Sequence, residues 1–588
     1  MRLSTDADRD DERAVVTITA AAEAGITVFD TAGSYGVGTE DFHHNERLLA
    51  RAVRQGEAGD RARIVTKGGM RREGGHWIAD GRARTIVADC EASLSALDGL
   101  AIDTYLVHAP DPRTPWRTTI RALTRVLDAG LARRVGVANV NRTQLEQALA
   151  EVDIGSVQVG LSLHDDSALR GGLVELCEQR GIPLMAHSPL GGTRRAGGLA
   201  RRQALVDVAA GHGAAPAEVA LAWLLAVSPA VVPIPGARRP ETARSAARAR
   251  DLHLTEGEVA DLARAFGAAI GPARGVRGER SIERGPATAA EHGTARADPV
   301  AEVVLVMGIP GAGKSRLAAG LIRDGYARLN RDERGGTLAA IAAELDSRLA
   351  AGNRRMVLDN TYLTRASRSR VIEAASRQGV PTRCLWLDTP LEAAQVNLVE
   401  RMLDRVGSRP SPEELRSLFR REPGFMGPTS QMRAVRELEP PSADEGFAAI
   451  ERISFQRAPS DRSGQPGVLV AAGALERPGW VDALRGAVPG APHLLFDWLP
   501  DGSVDDLAAA AARLAGAITG AVDTAICLHG GGPPTCWCRP PLPGLPLAFA
   551  RAHQLDLARS TLVGVSAAHR TLARALGCGV VLVAAAVT

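Results

Sequence analysis

The chain has 588 residues, 45% hydrophobic but only 3% aromatic, with a formal net charge of +3. That length predicts three or four domains, and the near-balanced charge gives no global argument for nucleic acid or a membrane surface. No apolar run approaches a membrane span, the first residues are not signal-like, and seven sparse cysteines argue against a disulfide framework. The expectation is a soluble, cytoplasmic α/β protein. Only two of the 70 basic residues are lysines, Lys67 and Lys314. Both are marked as positions where an ammonium is wanted that a guanidinium does not replace.

Over residues 1–268, short apolar strands alternate with helical patterns, at residues 26–29, 64–66, 104–107, 135–138, 157–159, 183–186 and 231–234. The alternation predicts a (β/α)₈ TIM barrel, whose active site lies at the carboxyl ends of the strands. Asp30, Tyr35, Lys67 and His108 fall at such ends. A tyrosine hydroxyl titrates near pH 10, so an adjacent ammonium is expected to lower it, with a carboxylate holding that ammonium in place. Tyr35 would then protonate a carbonyl oxygen, Lys67 tune it, Asp30 orient Lys67 and His108 position the carbonyl.

These residues resemble the aldo-keto reductases, as do Asn45-Glu46, Gly136-Val137-Ala138-Asn139, Gln158, Ser188-Pro189-Leu190-Gly191 and Ile234-Pro235-Gly236-Ala237-Arg238. The resemblance implies an NADPH-dependent reductase of small carbonyl substrates. Asn139 and Gln158 would hold the nicotinamide amide, and the loops carrying Ser188, Leu190 and Gly236 the phosphates. Arg238 would take the 2′-phosphate. Two departures stand out. His187 occupies the position where the family often stacks an aromatic ring, and Met1-Arg2-Leu3-Ser4 resembles the end of the family's first strand, so either the true start lies further upstream, the favoured expectation, or the barrel closes poorly.

Residues 269–300 lack any helical or strand period and read as a solvated tether. At 301–458 an apolar run enters Gly308-Ile309-Pro310-Gly311-Ala312-Gly313-Lys314-Ser315, which fits G-x-x-x-x-G-K-[ST] and leads into a helical pattern. Gly308, Gly311 and Gly313 let backbone N–H groups wrap a polyphosphate, Lys314 reaches the β/γ-phosphates, and Ser315 holds the Mg²⁺ of MgATP. Later strands deliver Asn330-Arg331-Asp332 and Asp359-Asn360-Thr361, predicting a P-loop NTPase fold. Asp332 is the expected base for an acceptor hydroxyl, Asp359 a Walker-B-like partner, and Arg401 with Arg405 a cationic lid over the γ-phosphate. With Ser367-Arg368, the set resembles the 5′-hydroxyl polynucleotide kinases, which implies nucleic-acid 5′-OH ends as acceptor. A small hydroxylated metabolite, shared with the reductase, is the alternative, because no aromatic-rich stacking platform is visible. A third reading makes the barrel a binding platform for the kinase.

Residues 466–588 resemble the Rossmannoid haloacid-dehalogenase (HAD) phosphatases without their carboxylates. Val470 and Ala472 stand in place of the D-x-D pair, Pro540 replaces a lysine, and Val563–His569 lacks the closing acids. No phosphatase activity is expected, since a phosphoaspartyl mechanism needs a nucleophile and Mg²⁺ ligands. Cys527-x-His529 and Cys536-x-Cys538 nevertheless suit a tetrahedral structural Zn²⁺.

Overall fold

The computed structural model describes residues 3–6, 8–56, 61–73, 76–270, 301–407, 412–422, 424–457, 464–486, 488–500, 502–530 and 534–584. The tether expected at 269–300 lies outside them, apart from its first two residues. Two compact units form, one N-terminal and one C-terminal. Among the described residues no single helix is long and apolar enough to cross a membrane.

Seven strands build the N-terminal unit: β1 (Val28–Asp30), β2 (Arg63–Gly68), β3 (Ile102–Val107), β4 (Arg134–Ala138), β5 (Ser156–Gly160), β6 (Leu184–His187) and β7 (Val231–Pro233). They form one parallel sheet in chain order. Strands covered on both faces need continuous apolar runs rather than alternation, and β3 is buried along its whole length. Helices follow where capping chemistry allows. Asn141 opens the helix Arg142–Leu149 with a reciprocal cap to Gln144, satisfying donors that the first turn leaves unpaired.

The expected eight-stranded closure needs correcting. Among the described residues there are seven strands in this sheet, and residues 3–6, which resembled the end of a further strand, run as turn and bend. Leu3 joins the core cluster, and Ser4 accepts a hydrogen bond from the Asn45 amide at 2.8 Å. Those side chains are buried without strand pairing. An antiparallel pair, Met70–Glu73 with His76–Ala79, follows β2; its charged sequence shows no strand period, and it was not anticipated.

The C-terminal unit holds two five-stranded parallel sheets. The first comprises β8 (Glu302–Met307), β9 (Ala327–Leu329), β10 (Arg355–Leu358), β11 (Thr382–Asp388) and β12 (Ala449–Ser454), in the order β9-β10-β8-β11-β12. The second comprises β13 (Val468–Ala471), β14 (His493–Trp498), β15 (Val522–Cys527), β16 (Thr561–Gly564) and β17 (Gly579–Leu582), in the order β15-β14-β13-β16-β17. In each, the chain reverses direction of assembly beside the central first strand, and the crevice at that switch point is where such sheets take ligands. Helix α1 (Lys314–Arg323) starts there, directly after the glycine loop that follows β8. Helix α2 (Leu391–Val406) belongs to the first sheet's domain, yet its Val399, Met402 and Leu403 share an apolar cluster with Leu469, Phe496 and Trp537 of the second.

Trp223 is fully buried in the N-terminal core and donates its indole N–H to the Val259 carbonyl at 3.1 Å. Removing a buried ring of that size leaves both a cavity and an orphaned acceptor. Trp223→Ala is expected to destabilise the unit by about 3–5 kcal/mol, measured as a lower urea midpoint for the N-terminal transition of the full chain.

Candidate active sites

At the carboxyl ends of the N-terminal strands, Lys67 is the hub. It leaves the end of β2 with its side chain buried, and its Nζ donates to Asp30 Oδ1 at 2.7 Å, the Thr31 carbonyl at 2.9 Å and Tyr35 Oη at 3.0 Å. All three donor positions of the ammonium are used. Asp30, ending β1, also accepts from the Gln158 amide of β5 at 2.7 Å. His108 follows β3, packs edge-on against Tyr35 with ring centroids 5.8 Å apart, and brings Nδ1 to 3.4 Å from Ser34 Oγ. The structure therefore places Asp30, Tyr35, Lys67, His108 and Gln158 in one constellation.

Asn139 and Ser188 both adopt positive φ, at 56° and 53°, a conformation that a side chain accepts only where the surroundings hold it. The Asn139 amide donates to the His108 carbonyl at 2.8 Å, and its Oδ1 lies 3.0 Å from His187 Nε2. Ser188 is exposed and Leu190 partly buried at a turn closed by Gly191 N–H to the Ser188 carbonyl. Gly236 is exposed. Arg238, expected to await a phosphate, instead pairs with Asp6 and Asp8, each at 3.2 Å.

Burial reverses one expectation. Tyr35 was expected to titrate below its ordinary value, but burial, followed by the Asp30 carboxylate, outweighs the opposing pull of Lys67 and raises it. Burial likewise works against the Lys67 ammonium, yet Asp30 and Tyr35 more than compensate and leave its pKa raised. His108 is driven well below the usual imidazole value by burial and then by Lys67 and His187, so it is neutral near pH 7. At neutral pH the site holds a phenol, an ammonium and a neutral imidazole.

The second site is a cavity of about 1650 Å³ over the glycine loop. Gly308, Gly311 and Gly313 all have positive φ, and a Cβ on Gly311 would sit 2.3 Å from the Ala394 carbonyl oxygen, so only glycine fits. Lys314 donates to the carbonyls of Gly308 and Ile309 at 2.9 and 3.0 Å. Burial, with Arg401 nearby, pushes its pKa down to about 8. Ser315, Asp332 and Asp359 line the same cavity. Asp332 is half-exposed, whereas Asp359 is buried and gripped by the Arg328 guanidinium and the Asn330 amide. Arg401 lines the cavity, but Arg405 does not. It pairs with Glu422 at 2.8 Å, so the expected two-arginine lid reduces to Arg401. Four residues on, Arg405 lies only about 40° around the helix axis from Arg401, so the Glu422 carboxylate rather than the helix face accounts for its absence from the cavity.

Residues 1–265 match the Aldo/keto reductase family, and residues 303–419 match an AAA domain. The chain joins an aldo/keto reductase domain to an AAA-type P-loop domain. Among its relatives, an uncharacterised oxidoreductase of Schizosaccharomyces pombe is 27% identical over 259 residues, 44% of this chain and 80% of that protein. A probable aldo-keto reductase of Glycine max is 29% identical over 239 residues, 36% of this chain and 67% of that protein. The solved structure of an aldo-keto reductase from Klebsiella pneumoniae in complex with NADPH is 27% identical and covers 44% of this chain and 86% of its own, with a TM-score of 0.38.

In the aldo/keto reductase domain, sequence reasoning missed Trp77. This half-exposed ring lies 6.3 Å from Tyr35 and 5.9 Å from His108, and the Arg72 guanidinium sits 4.8 Å over it. An isolated tryptophan in a chain so poor in aromatics was the available signal. In the P-loop domain it missed Gln431, whose amide donates to the Pro310 carbonyl at 2.8 Å, and the role of Asn397, which donates to the Gly311 carbonyl at 2.8 Å. Beyond both, Cys527, His529, Cys536 and Cys538 converge with their ligand atoms within 4.8 Å of one another.

His108 generates a pH prediction. Its folded pKa lies below the value near 6.5 of an unfolded chain, so below that value the unfolded state binds the additional proton. The stabilisation from keeping it neutral is therefore complete above about pH 6.5 and declines as pH falls. Thermal unfolding between about pH 7 and 5 is expected to show the midpoint falling, with a shallower fall in His108→Gln.

Proposed function

We propose that the aldo/keto reductase domain reduces a small carbonyl compound with NADPH and that the P-loop domain transfers phosphate from ATP to a 5′-hydroxyl end of nucleic acid. The three-way grip on Lys67 carries the first half. Tyr35 stays a phenol near neutral pH and gives its proton to the carbonyl oxygen, and the Lys67 hydrogen bond steadies the phenolate left behind. Asp30 and the Thr31 carbonyl prevent Lys67 from turning away. Neutral His108 orients the carbonyl beside Tyr35. The Asn139 and Gln158 amides, the Ser188 hydroxyl and Arg238 form a donor set suited to the nicotinamide amide and phosphates of NADPH, which would supply the hydride. For Arg238 to serve a 2′-phosphate it must exchange Asp6 and Asp8 for that anion.

In the P-loop domain, the glycine loop, Lys314 and Ser315 fit a magnesium-bound triphosphate, Asp332 is the accessible carboxylate for the acceptor proton, and Arg401 is the cation for the transferring group. Phe455 is the single aromatic lining this cavity among the described residues. That thin platform favours, as a second reading, a small hydroxylated metabolite as acceptor. The third module, whose strand order accords with a HAD-like fold and whose first strand ends at Val470 and Ala472 where a phosphatase needs carboxylates, is assigned no phosphatase activity and a structural Zn²⁺ on Cys527, His529, Cys536 and Cys538. Its thiolate-rich donor set and close spacing suit that ion.

Two assays test the proposal. NADPH oxidation against a panel of aldehydes and ketones is expected to fall about 100-fold or more in Tyr35→Phe, with NADPH affinity retained; unchanged turnover would refute the assigned acid. Transfer of labelled phosphate from ATP to a 5′-OH oligonucleotide is expected in the unaltered chain and absent in Lys314→Ala. Transfer to small polyols alone would select the metabolite reading.

A further inference from the structure

The third module touches the phosphate site through a short relay. Trp537 stands between Cys536 and Cys538, is almost fully buried, and donates its indole N–H to the Met426 carbonyl at 3.1 Å. Three residues on, Thr429 donates its hydroxyl to the Pro534 carbonyl at 2.9 Å. The cysteine-bearing loop therefore holds the P-loop domain's segment from Gly424 to Gln431 at two points. That same segment meets the phosphate site at two further points. The Gly424 carbonyl accepts from the Arg401 guanidinium, which lies 5.1 Å over the Phe425 ring, and Gln431, fully buried, donates to the Pro310 carbonyl inside the glycine loop.

Packing reinforces the relay. Helix α2 carries Asn397 and Arg401 toward the glycine loop, while its Val399, Met402 and Leu403 share their apolar cluster with Cys536, Trp537 and Phe549. Ion pairs Arg551–Asp404 and Arg574–Glu392, at 2.5 and 3.1 Å, join the same helix to the third module; being exposed, they fix register more than they stabilise. Both elements that position Arg401 are thus held from the side of the cysteine cluster.

We infer that the third module is a positioning element of the phosphate site: its Cys527/His529/Cys536/Cys538 loop, acting through Trp537 and Pro534 on Gly424–Gln431, sets Arg401 and the glycine loop for a triphosphate. A module with no catalytic carboxylates is then retained as the P-loop domain's scaffold, and occupancy of its metal cluster is coupled to triphosphate binding. Because the coupling runs through groups that touch phosphates, it acts on triphosphate affinity and leaves recognition of the nucleoside alone. The inference rests on reading the P-loop as a MgATP site and the cluster as a zinc site.

The test uses the full chain with two substitutions that remove one donor each, the isosteric Thr429→Val and Trp537→Phe, which also shrinks a buried ring. Affinities for MgATP and for AMP, which lacks the β- and γ-phosphates, are measured by competition against a fluorescent nucleotide. Each variant is expected to lose about three- to tenfold in MgATP affinity with AMP unchanged, and the loss from Trp537→Phe should shrink in an Arg401→Ala background. Zinc removal by a chelator should produce the same triphosphate-selective loss, restored by adding Zn²⁺ back. Equal losses for MgATP and AMP would reveal general loosening and overturn the inference, as would unchanged MgATP affinity in both variants and after zinc removal. Failure of the unaltered chain to bind MgATP would overturn the P-loop reading as well, which separates the two failures.

Discussion

An ammonium buried beside a carboxylate is the constraint on which the N-terminal domain's chemistry depends. The Lys67 side chain is buried, so its three N–H donors need oxygens of the protein, and Asp30, Thr31 and Tyr35 supply them. Desolvating a charge costs several kcal/mol unless it is paired and hydrogen-bonded, and Asp30, on the neighbouring strand and paired with Val65 two residues before Lys67, is within reach to supply the pair. A guanidinium could not satisfy this geometry, since its fork is planar and longer. Lys314 obeys a related rule with the opposite balance. With no carboxylate at hydrogen-bond distance among the described residues, it rests on two loop carbonyls, and burial pushes its pKa down to about 8. An arriving polyphosphate would supply the anion that the loop lacks.

The two sites share an architectural logic. Parallel strands point their carboxyl ends at one edge, and polar residues placed just past an apolar run are carried there by the chain direction alone. Asp30, Lys67 and His108 reach their positions this way from three adjacent strands, and Asn330 and Asp359 from two. The sheets therefore convert sequence position into spatial convergence before any side-chain contact is considered. Second-layer groups then fix the details: Gln158 on Asp30, Asn139 on the His108 carbonyl, Arg328 on Asp359, Gln431 on the glycine loop.

Much of this was legible in the sequence where a pattern is local. The seven N-terminal strands follow from short β-branched runs, and the glycine loop from a motif in which each glycine answers a steric demand, as the 2.3 Å approach at Gly311 shows. The scarcity of lysine pointed to both sites. What escaped depends on distant partners. The direction of the Tyr35 shift is a contest between burial and charge that only the assembled pocket decides. Residues 3–6, which resembled the end of a strand, run as turn and bend, with Leu3 and Ser4 buried without strand pairing. Arg405 turned from the cavity toward Glu422, 17 residues on, and Arg238 turned to Asp6 and Asp8 from across the domain. No periodicity encodes such pairs.

The two lysines stand at the two places where this arginine-rich chain needs an ammonium. Substituting each by arginine keeps the charge and changes only its shape and hydration, so Lys67→Arg and Lys314→Arg in the full chain, assayed for NADPH-dependent carbonyl reduction and for MgATP binding, test it most directly. Lys67→Arg is expected to lose reduction with MgATP binding intact, and Lys314→Arg the reverse. Retention of the matching function in either variant would contradict that need.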